Sequence, residues 1–113
     1  MPDSVIDWEL AMELAGNDKA FAKQMFLLLV KDLGNELPEI KKEYITQQIT
    51  SLKKRLHRLH GALCYCGAPR LKNATAALER ALENNKDLEI ANLMKQFELE
   101  IKELITQVTS PAF

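Results

Sequence analysis

Apolar residues recur along most of this chain at alternating steps of three and four, the spacing that lines one face of a helix at 3.6 residues per turn. From Leu52 to Gly67 the stripe is Leu52, Leu56, Leu59, Leu63 and Cys66. That predicts one amphipathic helix, capped by Thr50 or Ser51 and stopped by Gly67. From Phe21 to Tyr44 the apolar positions are Phe21, Met25, Leu29, Leu33, Leu37, Ile40 and Tyr44, with Asp18 able to cap the segment. Gly34 and Pro38 interrupt this stripe, so the pattern reads either as one kinked helix or as two helices split near Asn35. Pro69–Glu83 carries Leu71, Ala74, Leu78, Ala81 and Leu82, with proline suited to the first turn. The last stripe runs from Leu88 to about Val108 through Ile90, Met94, Phe97, Ile101 and Leu104, with Asp87 as its cap. A short helix is predicted from Asp7 to Ala15, capped by Asp7 and ended by Gly16-Asn17, with Trp8 available to pack it onto the end of a bundle.

Short connections force neighbouring helices to run in opposite directions. The expected fold is therefore all-α: an antiparallel up-down four-helix bundle with a short N-terminal helix packed on one end. Leu56, Leu59 and Leu63 are expected in a core with Phe26, Leu29, Leu33, Leu71, Leu78, Phe97 and Ile101. The chain reads as one domain over 1–113, with 1–6 and 109–113 expected to fray.

His57 falls well away from the Leu52–Cys66 stripe and shares the outward face with Lys53, Lys54, His60, Gly61 and Cys64. Glycine inside a helix costs roughly 1 kcal/mol relative to alanine. Gly61 lies one turn after His57, where a side chain would crowd the ring, so its absence reads as clearance for something bulky approaching the imidazole. Lys53, Lys54 and Arg58 would attract an anion there, and a phosphoryl group fits the charge. His57 sits mid-helix, so the side chains rather than a helix N-terminus must hold that anion. A neutral imidazole is itself a nucleophile near pH 7.

The 113 residues are 47% hydrophobic and 27% charged with a formal net charge of −1, which argues against a general nucleic-acid binder. No apolar run approaches the ~18 residues that cross a bilayer, and the opening residues lack a secretory pattern. Cys64 and Cys66, two apart in a helix, cannot easily join, which suits reduced thiols in a cytosolic setting.

The residues His57-Arg58-Leu59-His60-Gly61, then Gly67 and Leu71, resemble the signature of histidine phosphotransfer (HPt) domains: His-x-Leu-Lys-Gly, a glycine six residues on, then a leucine. With Tyr65, Pro69 and Arg70 the likeness is greatest to the HPt domains that end BarA-type hybrid sensor kinases. The departure is His60, where the family usually has lysine. The resemblance implies one long second helix with a kink rather than two. It implies a phosphocarrier in which His57 accepts a phosphoryl group from an aspartyl phosphate on a response-regulator receiver domain and returns it to another. Lys53, Lys54, Arg58, His60 and Gly61 are then the phosphoryl-stabilising or partner-facing residues. His60, when protonated, would hold phosphoryl oxygens more weakly than lysine. No cofactor is expected on this chain; Mg²⁺ would belong to the receiver. HPt-type surfaces also present an apolar rim to the partner. The implied setting is a monomeric cytoplasmic module, at the end of a larger membrane-bound sensor, with neither membrane insertion nor nucleic-acid binding of its own.

Two other readings compete. His57, His60, Cys64 and Cys66 are potential zinc ligands, although Lys53, Lys54 and Arg58 oppose a cation and no fourth ligand shares the face of His57, His60 and Cys64. A purely structural adaptor bundle explains the stripes but leaves His57 beside Gly61 without a reason. No glycine-rich phosphate loop is present, so an ATP-dependent kinase is not expected.

Overall fold

The computed structural model describes residues 4–113. Five helices follow one another: α1 (Trp8–Leu14), α2 (Lys19–Ile45), α3 (Ile49–Leu63), α4 (Pro69–Glu83) and α5 (Asp87–Val108), with no strand among the described residues. Helices α2 to α5 pack in a closed ring, each against the next and α5 back against α2, while α1 lies on α2. At 1.5 Å per residue α2 is about 40 Å long, which matches the molecule's longest extent of 41 Å.

The ends of the helices have local chemical causes. Asp7 and Asp18 cap α1 and α2 by accepting from the backbone N–H groups of Leu10 and Phe21. Three helices then end in the same double bond pattern, with the first residue beyond the cap in the left-handed region. After α1, Asn17 N–H donates to Met12 and Gly16 N–H to Glu13; after α2, Gln48 donates to Glu43 and Gln47 to Tyr44; after α4, Lys86 donates to Ala81 and Asn85 to Leu82. Gly16 takes its φ of +65° freely, whereas Gln47 at +58° adopts it at a cost of about 1–2 kcal/mol.

Several boundaries differ from the expected ones. Helix α3 begins at Ile49 after Gln48, without a side-chain cap from Thr50 or Ser51, and ends at Leu63 rather than at Gly67. Asp87 is the first residue of α5 rather than its cap, where its carboxylate faces the positive end of the helix dipole. Pro38 lies inside an unbroken α2, and no split occurs at Asn35. The carbonyl that proline leaves without a donor belongs to Gly34, which is exposed and has open space around its α-carbon, so water can serve it.

Every residue of the expected core is buried, with Leu33, Leu56, Leu63, Leu78, Phe97 and Ile101 sealed completely. The start of the α2 stripe is the exception: Phe21 is exposed and Met25 half-buried, while Ala22 and Phe26 face inward. Steps of four advance about 40° around a helix, so the line Phe21–Met25–Leu29 winds onto the core only by its third member.

The described ends pack down where fraying is expected. Val5 and Ile6 are buried. The Phe113 ring lies 5.4 Å from Trp8 and 6.0 Å from Phe26, Trp8 and Phe26 meet edge-on at 5.5 Å, and Lys23 Nζ donates to the Phe113 carbonyl at 2.9 Å. An aromatic triad thus closes the end of the bundle where α1 docks.

Candidate functional site

The rotation of α3 is set from both sides. Leu52, Leu56, Leu59 and Leu63 anchor its inner face. On its α2 flank Arg55 forks onto Glu43, Nε to Oε1 at 2.9 Å and Nη2 to Oε2 at 3.2 Å, and reaches Glu36 with Nη1. The hydrogen bonds to Glu43 and then Glu36 push the guanidinium pKa above its already high ordinary value, so Arg55 keeps its charge throughout. With those contacts made, His57 faces solvent, its side chain 82% exposed.

The ring is nevertheless held. His57 Nδ1 lies 3.0 Å from Oε2 of Glu79 on α4. A carboxylate accepts only, so Nδ1 carries the hydrogen, and the lone pair of the neutral ring is left on Nε2, away from Glu79. The outer nitrogen is thereby the nucleophilic one. His60, one turn on, is only 30% exposed, and its Nδ1 is 3.2 Å from the other Glu79 oxygen. The approach is off-line, and Oε1 is buried without a hydrogen bond among the described residues. His60 therefore turns toward Glu79, rather than outward over His57 as a substitute for the family's lysine would.

The expected cations divide into two kinds. Lys53 pairs with Glu83 of α4 at 3.7 Å and is half-buried. Lys54 and Arg58 are exposed, are in no ion pair among the described residues, and border a shallow depression with Ser51. Gly61 is exposed, and a Cβ built on it meets no heavy atom within 4 Å. A methyl group there would thus not crowd the His57 ring, contrary to expectation; the cleared space opens toward solvent.

Gly67 has a different task from the expected helix stop. Its carbonyl accepts from Asp7 N–H at 2.8 Å, and a Cβ on it would lie 2.5 Å from the Asp7 carbonyl oxygen. It is the point where the α3–α4 connection touches α1. Beside it, Leu14, Phe21, Met25 and Tyr65 border an apolar cleft of about 100 Å³. Tyr65, in the α3–α4 connection just beyond α3, is 73% exposed on the border of that cleft. Cys64 and Cys66 are free thiols, and burial pushes the Cys66 thiol pKa up. Among the described residues no three His, Cys, Asp or Glu side chains are grouped to hold a metal ion.

Residues 24–110 match the family model of the Hpt domain. This chain belongs to the Hpt domain family. Its HPt sequence is 35% identical over 81 residues to the sensor protein GacS of Pseudomonas syringae pv. syringae, covering 72% of this chain and 9% of that protein. It is 29% identical over 91 residues to the signal transduction histidine-protein kinase BarA of Escherichia coli K12, covering 78% of this chain and 10% of that one. The chain thus spans about a tenth of the length of the curated relatives it matches. The fold matches the crystal structure of the HPT domain from an Hpt sensor hybrid histidine kinase from Shewanella, with a TM-score of 0.67 at 24% identity over 94% of this chain and 97% of that one. No helix among the described residues is long and apolar enough to cross a membrane.

Glu79 is the site residue that sequence reasoning missed. It stands 22 positions away, and only the register of α4 against α3 brings it close. The available signal was faint: an acidic residue flanking a buried stripe, between Thr75 and Leu82 and one turn before Glu83.

Proposed function

We propose that His57 carries a phosphoryl group between the aspartates of receiver domains in a two-component phosphorelay. One observation carries the reading: an exposed imidazole on a rigid helix, with its inner nitrogen held by Glu79 and its outer nitrogen free. In the loading step the Nε2 lone pair forms the N–P bond. The P–O bond of the aspartyl phosphate breaks, and its electron pair leaves on the receiver's carboxylate. The ring then bears a positive charge, offset by Glu79 through the retained Nδ1–H. The reverse step delivers the group to a second receiver aspartate. Catalysis in such a transfer is positioning plus charge stabilisation. Lys54 and Arg58, lacking carboxylate partners, are the cations available to the phosphoryl oxygens or to an acidic receiver surface, while Lys53 is occupied by Glu83. Mg²⁺ held by the receiver would supply the remaining charge. The apolar cleft bordered by Leu14, Phe21 and Tyr65 supplies the rim on which the receiver docks. The similarity to parts of GacS and BarA supports a module working on the cytoplasmic side of a larger sensor.

Incubation with ³²P-labelled receiver domains from the source organism tests this. Label is expected to move to this chain in an acid-labile, base-stable form. His57→Gln should abolish transfer and leave the helical circular dichroism spectrum unchanged. Label that stays on the receiver, or that still transfers to His57→Gln, would refute the assignment.

A further inference from the structure

Two imidazoles share one carboxylate. Glu79 gives Oε2 to His57 Nδ1 at 3.0 Å and keeps Oε1, buried and without a hydrogen bond, 3.2 Å from His60 Nδ1. The other charged groups on this face are already engaged or stand further off. On α4 these are Glu83, held by Lys53 of α3, and Lys72, which lies two turns before Glu79 on the same stripe. On α3 they are Lys54 and Arg58, which face solvent, and the exposed thiol Cys64. From α2, Glu36 and Glu43 are taken up by Arg55 on the opposite flank. Glu79 is therefore the one carboxylate within reach of both rings among the described residues, and its charge can be matched by only one imidazolium at a time.

We propose that His60 is a positioning residue that competes with His57 for Glu79, releasing His57 when His60 takes up a proton. This rests on the phosphocarrier reading and concerns the regulation of that same histidine. With His60 neutral, the full carboxylate charge falls on His57 Nδ1–H and holds Nε2 outward as the nucleophile. A proton taken by His60 from solvent makes both of its ring nitrogens donors. Its Nδ1–H then aligns on the orphaned Oε1, where a charge-assisted hydrogen bond is roughly twice as strong as a neutral one. The carboxylate is drawn to His60, and the His57 ring loses the partner that fixes its tautomer. A lysine at position 60 would keep its charge and not switch.

The chain has two histidines, so each ring can be assigned by substitution. The test is ¹H–¹⁵N NMR of the intact, histidine-labelled chain between pH 8 and pH 5.5. The wild type should show a downfield His57 Nδ1–H resonance at pH 8 that is lost as His60 titrates. In His60→Asn, or in His60→Gln should the first fold poorly, that resonance should persist across the range. Glu79→Ala should remove it at every pH. An identical pH course in wild type and the His60 variants overturns the competition, as does a resonance that survives Glu79→Ala. Phosphoramidate loading at pH 8, read by ³¹P NMR, separates this from the carrier reading: that reading falls if His57 takes no phosphoryl group, whereas the competition falls if the Nδ1–H signal ignores His60.

Discussion

Substituting alanine for Gly61 and for Gly67 should have opposite effects, because one faces open space and the other faces the protein's own backbone. In α3, Gly61 is exposed and has no heavy atom within 4 Å of a built Cβ. Gly61→Ala therefore adds no clash and gains helix propensity, about 0.5–1 kcal/mol. With an unfolding entropy of about 2.1 cal/mol/K per residue, that raises Tm by about 2–4 °C in a chain of 113 residues. At Gly67 a Cβ would lie 2.5 Å from the Asp7 carbonyl oxygen, 2.8 Å from Ala11 Cβ and 2.9 Å from Ala11 N. None of these atoms can rotate aside, so α1 must lift, and overpacking of that kind costs about 1–3 kcal/mol, a fall of about 4–13 °C on the same entropy. Thermal melts followed by circular dichroism measure both. Phosphotransfer supplies the second axis. Gly61→Ala should slow transfer from a phosphorylated receiver while loading from phosphoramidate, a small donor, stays near wild type. A destabilised Gly61→Ala would refute the open space at that position. Unchanged receiver transfer would refute the claim that the space is there for a partner.

Leu59 is buried in the core beneath the histidine face. Leu59→Ala should cost ~2–5 kcal/mol in urea unfolding, with the residual folded protein still able to accept a phosphoryl group. Arg55→Met removes the cation between Glu36 and Glu43 and leaves Glu43 buried and unpaired. A loss of about 3–5 kcal/mol is expected by the same measurement, and Arg55→Lys should recover only part of it, since an ammonium cannot fork onto a carboxylate. Glu98 is held below the usual carboxylate range by the hydrogen bond from Lys102 and, less strongly, that from Lys41. A carboxyl whose folded pKa is depressed adds stability above its unfolded pKa of about 4.3 and loses it as pH falls through the folded value. The stability difference between wild type and Glu98→Gln should therefore shrink on acidification from pH 5 to pH 3, and shrink at neutral pH on adding salt. A difference that grows on acidification would contradict the ion-pair account.

The helices and the core were legible along the chain because both depend on periodicity, which is a local property. Each leucine stripe marks its own inner face, so Leu56, Leu59 and Leu63 could be assigned to one core with Phe97 and Ile101 before any packing was known. The exposure of His57 was legible for the complementary reason: an imidazole lying off the stripe has nowhere to go but outward. Gly61 and Gly67 stood out equally as small residues, yet their environments differ completely, since a missing side chain does not say what would have met it. The start of α3 was misplaced because Gln47 and Gln48 end α2 through backbone hydrogen bonds, which leave little trace in side-chain chemistry.

The arrangement around the histidine belongs to the packed bundle. Which of two imidazole nitrogens faces solvent depends on a carboxylate 22 residues away, and which lysine is already paired depends on Glu83 of the same neighbouring helix. Both follow from the axial register of α4 against α3, a quantity that the stripe of either helix leaves free by a turn. The end of the chain obeys the same rule. Residues 109–113 are expected to fray, but Phe113 is captured by Trp8 and Phe26 once α1 and α2 come together. Periodicity chooses the face a residue shows, whereas the choice of its neighbour waits on distant helices meeting, because contact energies between them exist only after the chain has folded.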